Sequence, residues 1–331
     1  MLNSESKKVK LEAEIARCKF KNKRLLIVEG LQDIKRYKDI ILKENNNIVV
    51  KQIASFQGQG KGCKSITKCL NEKKDYLDKN MCGKIVKAII DSDAKEYRKE
   101  CFLDLGDMKN IEKYLIVLDN YSIESYVYGE NCILNNLSFF MDADKEQIKK
   151  VVLKEFFNKL NDKIIEDGYY IGILCLCKEL KPDKYSGVFS YKCDISNIKN
   201  YYKRKQKLKD EIQNFKELIL EIEKKFDLKK DLYTVRKILN GKHMLYIVST
   251  ELIKSLSDSF TEDICNTSLL EIACSLDGEC SIDNKCIFKV NSTSMLKQQD
   301  AQVDNLYNQL IGNFDEEERI KLRDNIINKY I

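Results

Sequence analysis

The chain has a single histidine, His243, a single proline, Pro182, and no Cys-x-x-Cys pair. Each shortage removes a class of protein. Structural zinc sites are built from paired cysteines and histidines at short spacing. Cys175 and Cys177, and the evenly spaced Cys274, Cys280 and Cys286, do not supply that pattern, so zinc is not expected. One proline leaves no proline-rich linker to mark a domain boundary, and no internal repeat is seen. No apolar run approaches the length of a membrane span; residues 169–177 are among the longest. The opening Met1–Glu5 has no apolar core behind it, so no secretory signal is expected. The thirteen cysteines are then expected to be reduced thiols of a cytoplasmic protein. The glycine loop Gly58-Gln59-Gly60-Lys61-Gly62 lacks the Walker A pattern, so ATP hydrolysis by this chain is not expected.

What is present is a length of 331 residues, enough for two domains, with 43% apolar and 33% charged residues. The net charge of +6 is modest, but its distribution is uneven. Basic residues crowd the first two dozen positions (Lys7, Lys8, Lys10, Arg17, Lys19, Lys21, Lys23, Arg24) and recur at Lys203-Arg204-Lys205. Such clusters suit either a polyanionic substrate or a solvated helix face.

The first part of the chain alternates strand and helix patterns. Strands are expected at 25–28, 48–54, 85–90 and 114–118, with helices at 5–19, 33–43 and 64–73 and a helix-like stretch around 97–105. That alternation predicts a parallel sheet with covered faces. From about residue 140 the pattern becomes helical, with candidates at 144–160, within the long charged stretch 197–226, at 233–239 and 244–256, and in the final segment from 302. Residues 281–299 read as a loop. The expected organisation is a basic segment over 1–21, an α/β domain over 22–140 and a mainly α-helical domain over 141–331.

Chemistry concentrates at strand ends. The run Arg24–Val28 leads into Glu29-Gly30-Leu31-Gln32-Asp33, and Ile85–Ile90 leads into Asp91-Ser92-Asp93. A strand that ends in a carboxylate delivers it to the carboxyl edge of a parallel sheet, where α/β folds place ligands. Oxygen donors of this kind suit a hard divalent ion, Mg²⁺ or Mn²⁺. In extended backbone Asp91 and Asp93 fall on one side. Glu29 reads as metal ligand or general base, and Asp33 as ligand or helix N-terminal charge. Two further stretches, Asp119-Asn120-Tyr121-Ser122-Ile123-Glu124 and Gly241-Lys242-His243, complete the set. Asp119 reads as a turn cap or a weak ligand candidate. Lys61 is a candidate phosphate contact through its glycine loop.

A strand ending in Glu-Gly-x-x-Asp, followed by one ending in Asp-x-Asp, resembles the Toprim domain over about residues 22–130. That domain is shared by topoisomerases, bacterial primases, ribonuclease M5-type maturases and overcoming-lysogenization-defect nucleases. Ser122-Ile123-Glu124-Ser125-Tyr126 and Gly241-Lys242-His243-Met244-Leu245 are similar to two elements of a single-chain Toprim family often found beside ABC-type ATPases. Its members include the toxic effector of PARIS-type anti-phage defence. Ser125 stands where that family commonly has asparagine.

The resemblance implies a Rossmann-like, mostly parallel four-stranded sheet with helices on both faces. It implies metal ligation by Glu29, Asp33, Asp91, Asp93 and Glu124, and phosphate neutralisation by Lys242 and His243. The implied activity is Mg²⁺- or Mn²⁺-dependent cleavage of RNA, such as tRNA, or DNA. The implied partners are an ABC-type ATPase that restrains the enzyme and a second copy of the chain in a homodimer. A housekeeping Toprim ribonuclease or repair nuclease without a partner is one alternative. A catalytically silent adaptor that binds an ATPase through the helical half is another.

Overall fold

The computed structural model describes residues 8–97, 105–129, 146–191, 205–259, 306–307, 310, 314 and 316–331. Lys203, Arg204, Cys274, Cys280, Cys286 and the loop expected over 281–299 lie outside the described residues. The chain forms two compact units: Met1–Asp119 with Glu317–Ile331, and Asn120–Glu316. They divide it differently from the expected segments 22–140 and 141–331, because the C-terminal residues belong with the sheet.

The first unit is α/β with a four-stranded, all-parallel sheet. It begins with α1 (Leu11–Phe20), then β1 (Arg24–Val28), α2 (Leu31–Lys35) and β2 (Ile48–Gln52). Next come α3 (Cys63–Glu72), α4 (Lys74–Lys79), β3 (Val86–Ile90), α5 (Leu105–Asn110) and β4 (Leu115–Val117). The strand order is β2-β1-β3-β4. Arg24 pairs with Ile48 on one side of β1, and Leu25 with Val86 on the other. The order reverses direction between β1 and β3, which makes that pair the switch point of the sheet.

Leu25, Leu26, Ile27 and Val28 are all fully buried, so side chains on both faces of β1 are covered. This is the burial that continuous apolar strands of a parallel sheet require. One face packs Leu25, Ile27, Val86, Ala88 and Ile90 against Leu11 and Ile15 of α1 and Ile66 and Leu70 of α3. The expected helix 33–43 is present but changes pitch: after Lys35 it widens into a π-helical turn, Arg36–Ile41. The closing helix α11 (Glu316–Asn328) returns to this unit. Arg319 reaches the carbonyl of Ile41, Arg323 pairs with Glu44 at 3.1 Å, and the buried Tyr330 hydroxyl donates to the Leu25 carbonyl at 2.8 Å.

The second unit is helical where described. Its longest element, α6 (Glu146–Leu180), carries the apolar run 169–177 through its buried second half. The described part of the long charged stretch, from residue 205, is two helices, α7 (Lys205–Asn214) and α8 (Lys216–Phe226), broken at Phe215. Then follow α9 (Leu232–Ile238), capped by the Asp231 carboxylate on the Thr234 N–H at 2.7 Å, and α10 (Gly241–Ser259). Gly168 and Gly172 on α6 let α9 approach closely; a Cβ at Gly172 would meet the Ile238 side chain at 2.6 Å.

Candidate carboxylate site at the sheet edge

Glu29 and Asp91 each stand one residue beyond their strands, β1 and β3, which are hydrogen-bonded neighbours. The Asp91 N–H donates to Glu29 Oε1 at 3.2 Å, tying the two strand ends together. Gly30 turns the chain into α2, and its N–H donates to Asp33 Oδ2 at 2.9 Å. Asp33 therefore stands at the first turn of α2 beside Glu29, where a negative charge also suits the helix N-terminus. Arg36, one turn on and nearly buried, lies 3.6 Å from Asp33.

Asp93 is placed differently from the extended-backbone expectation. Asp93 and Ala94 both have left-handed backbone, with φ of 48° and 56°. The strand alternation that would align Asp91 with Asp93 has ended at Ile90, and the chain instead coils back. That coil brings in Lys95, which is almost fully buried. Its ammonium donates to the Asp91 carbonyl at 2.6 Å and lies 3.7 Å from Asp93 Oδ2.

These neighbours act on Glu29. Burial pushes its carboxyl above the ordinary glutamate value of 4.5, because a desolvated charge is disfavoured. The Asp91 N–H opposes the rise, the Asp93 charge adds to it, Lys95 opposes it and Asp33 adds to it. The glycine loop also arrives here. Gly62 has a φ of 84°, which favours glycine, and a Cβ there would stand 4.0 Å from Glu29 Oε2. Gly62 opens α3, and the Cys63 thiol is raised by burial first and by the Glu29 charge second. Lys61 itself is exposed, and its carbonyl accepts from the Ser65 hydroxyl at 3.0 Å.

In the second unit the two other motif stretches are packed together. Ser122–Tyr126 leads into a single 3₁₀ turn, Ile123–Tyr126, and all its residues are buried, Glu124 included. The Tyr121 N–H donates to the Arg236 carbonyl at 2.8 Å, and the Tyr126 hydroxyl accepts from the Asn120 N–H at 3.3 Å. The first residue of α10 presses on this turn. A Cβ at Gly241 would lie 2.8 Å from Glu124 Cβ and 2.9 Å from the Ser125 nitrogen, and closer still to Ser122 Oγ. No side chain larger than hydrogen fits, which accounts for the glycine of the motif. The hydroxyls of Ser122 and Ser125 are buried there with no hydrogen-bond partner. Lys242 is exposed and His243 is 3% exposed, so the pair does not share a face; consecutive helical residues diverge by about 100°. Asp119 is exposed.

The donor chemistry of Glu29, Asp33, Asp91 and Asp93 suits a hard divalent ion. All offer oxygen, and Asp93 and Asp33 both raise the Glu29 pKa, a repulsion that a cation would relieve. The side chains are not gathered for one, however. Among the described residues no group of three or more His, Cys, Asp or Glu side chains is placed to hold a metal. Positive charge at the cluster comes instead from Lys95 and Arg36. Sequence reasoning missed both cations. A lysine two residues past an Asp-x-Asp, and an arginine one helical turn past an aspartate, were the available signals.

The class defined by fold and site is thus an α/β protein with a parallel sheet and carboxylates at its switch point. Compared with known families and with curated proteins, the chain matches no family model and no curated protein. Among the described residues no helix is long and apolar enough to cross a membrane.

Proposed function

We propose that this chain is a Toprim-type, metal-dependent endonuclease, and that the carboxyl edge of β1 and β3 is its reaction centre. The observation that carries the reading is the junction of Glu29 and Asp91 on adjacent strand ends, with the order of the sheet reversing between them. Glu29, Asp91 and Asp93 would hold Mg²⁺ or Mn²⁺, with Asp33 beside them. Bound there, the ion would supply Lewis-acid polarisation of a phosphate and a more acidic water. The protein's own groups do the rest. Glu29 would serve either as a ligand of the ion or as the base that takes a proton from the attacking water. The exposed Lys61 and the N-terminus of α3 face a phosphate with positive charge. The motif resemblance adds a metal-binding role for Glu124 and a phosphate-neutralising role for Lys242 and His243.

The biological part of the proposal rests on the motif resemblance. The nuclease is a toxic effector of anti-phage defence, cutting RNA such as tRNA, or DNA. An ABC-type ATPase restrains it, and the active form is a homodimer in the cytoplasm. One observation favours a second reading, the silent adaptor: Lys95 already supplies a cation to the aspartates, and among the described residues no three-donor group is formed. Expression in cells separates the two. Wild type should be toxic and leave new RNA or DNA ends that sequencing detects, and Glu29→Ala should do neither. Equal toxicity and equal ends from Glu29→Ala would overturn the nuclease assignment.

A further inference from the structure

The opposite edge of the same sheet holds a cavity of about 420 Å³. It opens where β1, β2 and β3 all begin, so the turns that feed the strands form its walls. Lys23, Arg24 and Lys84 line it, with Asn22, Asn45 and Asn47 between them and Ile48 and Ile85 as apolar patches. Lys19 also lines it, although its ammonium is engaged by the Asn80 carbonyl at 2.9 Å. No acid is among the described residues that line it. The guanidinium of Arg24 is held over the Tyr330 ring, 5.3 Å from its centroid, and the Asn45 side chain accepts the Asn47 N–H at 3.0 Å. The walls are therefore partly fixed before anything binds.

We infer that this cavity is a binding site for a nucleoside polyphosphate. Four cations around one concavity repel one another, and a multivalent anion relieves that repulsion. The volume falls in the range of small-ligand pockets. Asparagine amides both donate and accept, which matches the edge of a base, and the partly exposed Ile85 adds a small apolar contact. A nucleic-acid backbone would call for an extended basic groove rather than a concavity confined to the strand starts. The inference does not depend on the nuclease reading, because none of the acidic site residues lines the cavity.

Calorimetric titration of the full chain at low ionic strength, without divalent metal, tests it. ATP and GTP are the probes, inorganic pyrophosphate the competitor, and a twelve-nucleotide single-stranded DNA the control. One nucleotide should bind per chain, pyrophosphate should displace it, and Lys23→Gln/Lys84→Gln should weaken binding at least about tenfold, the loss of about 1.4 kcal/mol. Asn47→Asp, which places an anion in the exposed wall, should weaken it as well. Glu29→Gln should leave it unchanged. The inference is overturned by no saturable nucleotide binding at millimolar concentration. It is equally overturned by unchanged affinity in both folded cavity variants, or by binding of the oligonucleotide alone.

Discussion

At its carboxyl edge the sheet gathers Glu29, Asp33, Asp91 and Asp93, whereas at its amino edge, one strand away, it gathers Lys23, Arg24 and Lys84. Five residues of strand span about 16 Å, so opposite charges sit at the two ends of the same two strands, β1 and β3. The edges differ in how that charge is held. The acids are set into backbone: Glu29 accepts an N–H from Asp91, Asp33 accepts one from Gly30, and Lys95 and Arg36 stand beside them as fixed counter-charges. The cations line an open cavity with no acid among its described residues. An acidic edge anchored to backbone and partly neutralised fits a site that must position reacting groups. An uncompensated basic edge fits a site that waits for a charged ligand.

Four predictions break or sharpen this contrast. The largest effect belongs to the acids. Asp91→Asn should lower metal-dependent cleavage by at least roughly 100-fold, the scale on which a charge-stabilising group is lost from a reaction centre. Circular dichroism should show an unchanged fold, and undiminished turnover would remove Asp91 from the site.

Next comes packing in the second unit. Gly241→Ala forces a methyl against Glu124 and the Ser125 backbone. Overpacking of this kind costs about 1–3 kcal/mol, so chemical denaturation should show a lower midpoint. A variant as stable as wild type would mean the turn at Ile123–Tyr126 gives way freely.

Third, Lys95→Met removes the ammonium 3.7 Å from Asp93. If the lysine competes with a divalent ion, Mn²⁺ affinity read by electron paramagnetic resonance should rise about tenfold, or about 1.4 kcal/mol. Weaker Mn²⁺ binding would instead make Lys95 the scaffold of the loop, through its bond to the Asp91 carbonyl.

The smallest effect is in pH dependence. Folding raises the Glu29 pKa above 4.5, so the folded state binds its proton more tightly than the unfolded chain does. The associated stability is present below pH 4.5 and is lost as the pH rises through the folded value. Glu29→Gln, which cannot ionise, should therefore melt higher than wild type at pH 7, with the gap closing below pH 4.5. A gap that does not change with pH would assign the effect to packing rather than charge.

The strands and their terminal acids were legible because apolar runs of strand length end abruptly in Glu29 and Asp91. A helix over 64–73 was also plain, since Ile66, Cys69 and Leu70 repeat at helical spacing and are buried. Strand order was not legible: neighbours in a parallel sheet are chosen by packing across long connections, and nothing local to β3 says that it joins β1. The left-handed turn at Asp93 and Ala94 was hidden too, because neither residue type demands it as glycine would. Lys95 was lost with it, since only that turn returns a lysine to the aspartates. The amino-edge cavity escaped for a related reason. Its walls come from residues 19–24, 45–48 and 84–85, and in sequence each looks like an ordinary polar turn.

The most direct test of the account is cleavage by the purified chain itself. A labelled tRNA pool and a plasmid are incubated with wild type and with Glu29→Ala, each with Mn²⁺, with Mg²⁺ or with EDTA. The account predicts cutting by wild type that needs the divalent ion and is absent from Glu29→Ala. Cutting that persists in EDTA, or that Glu29→Ala performs as well as wild type, would contradict a metal-dependent reaction centre at the carboxyl edge of β1 and β3.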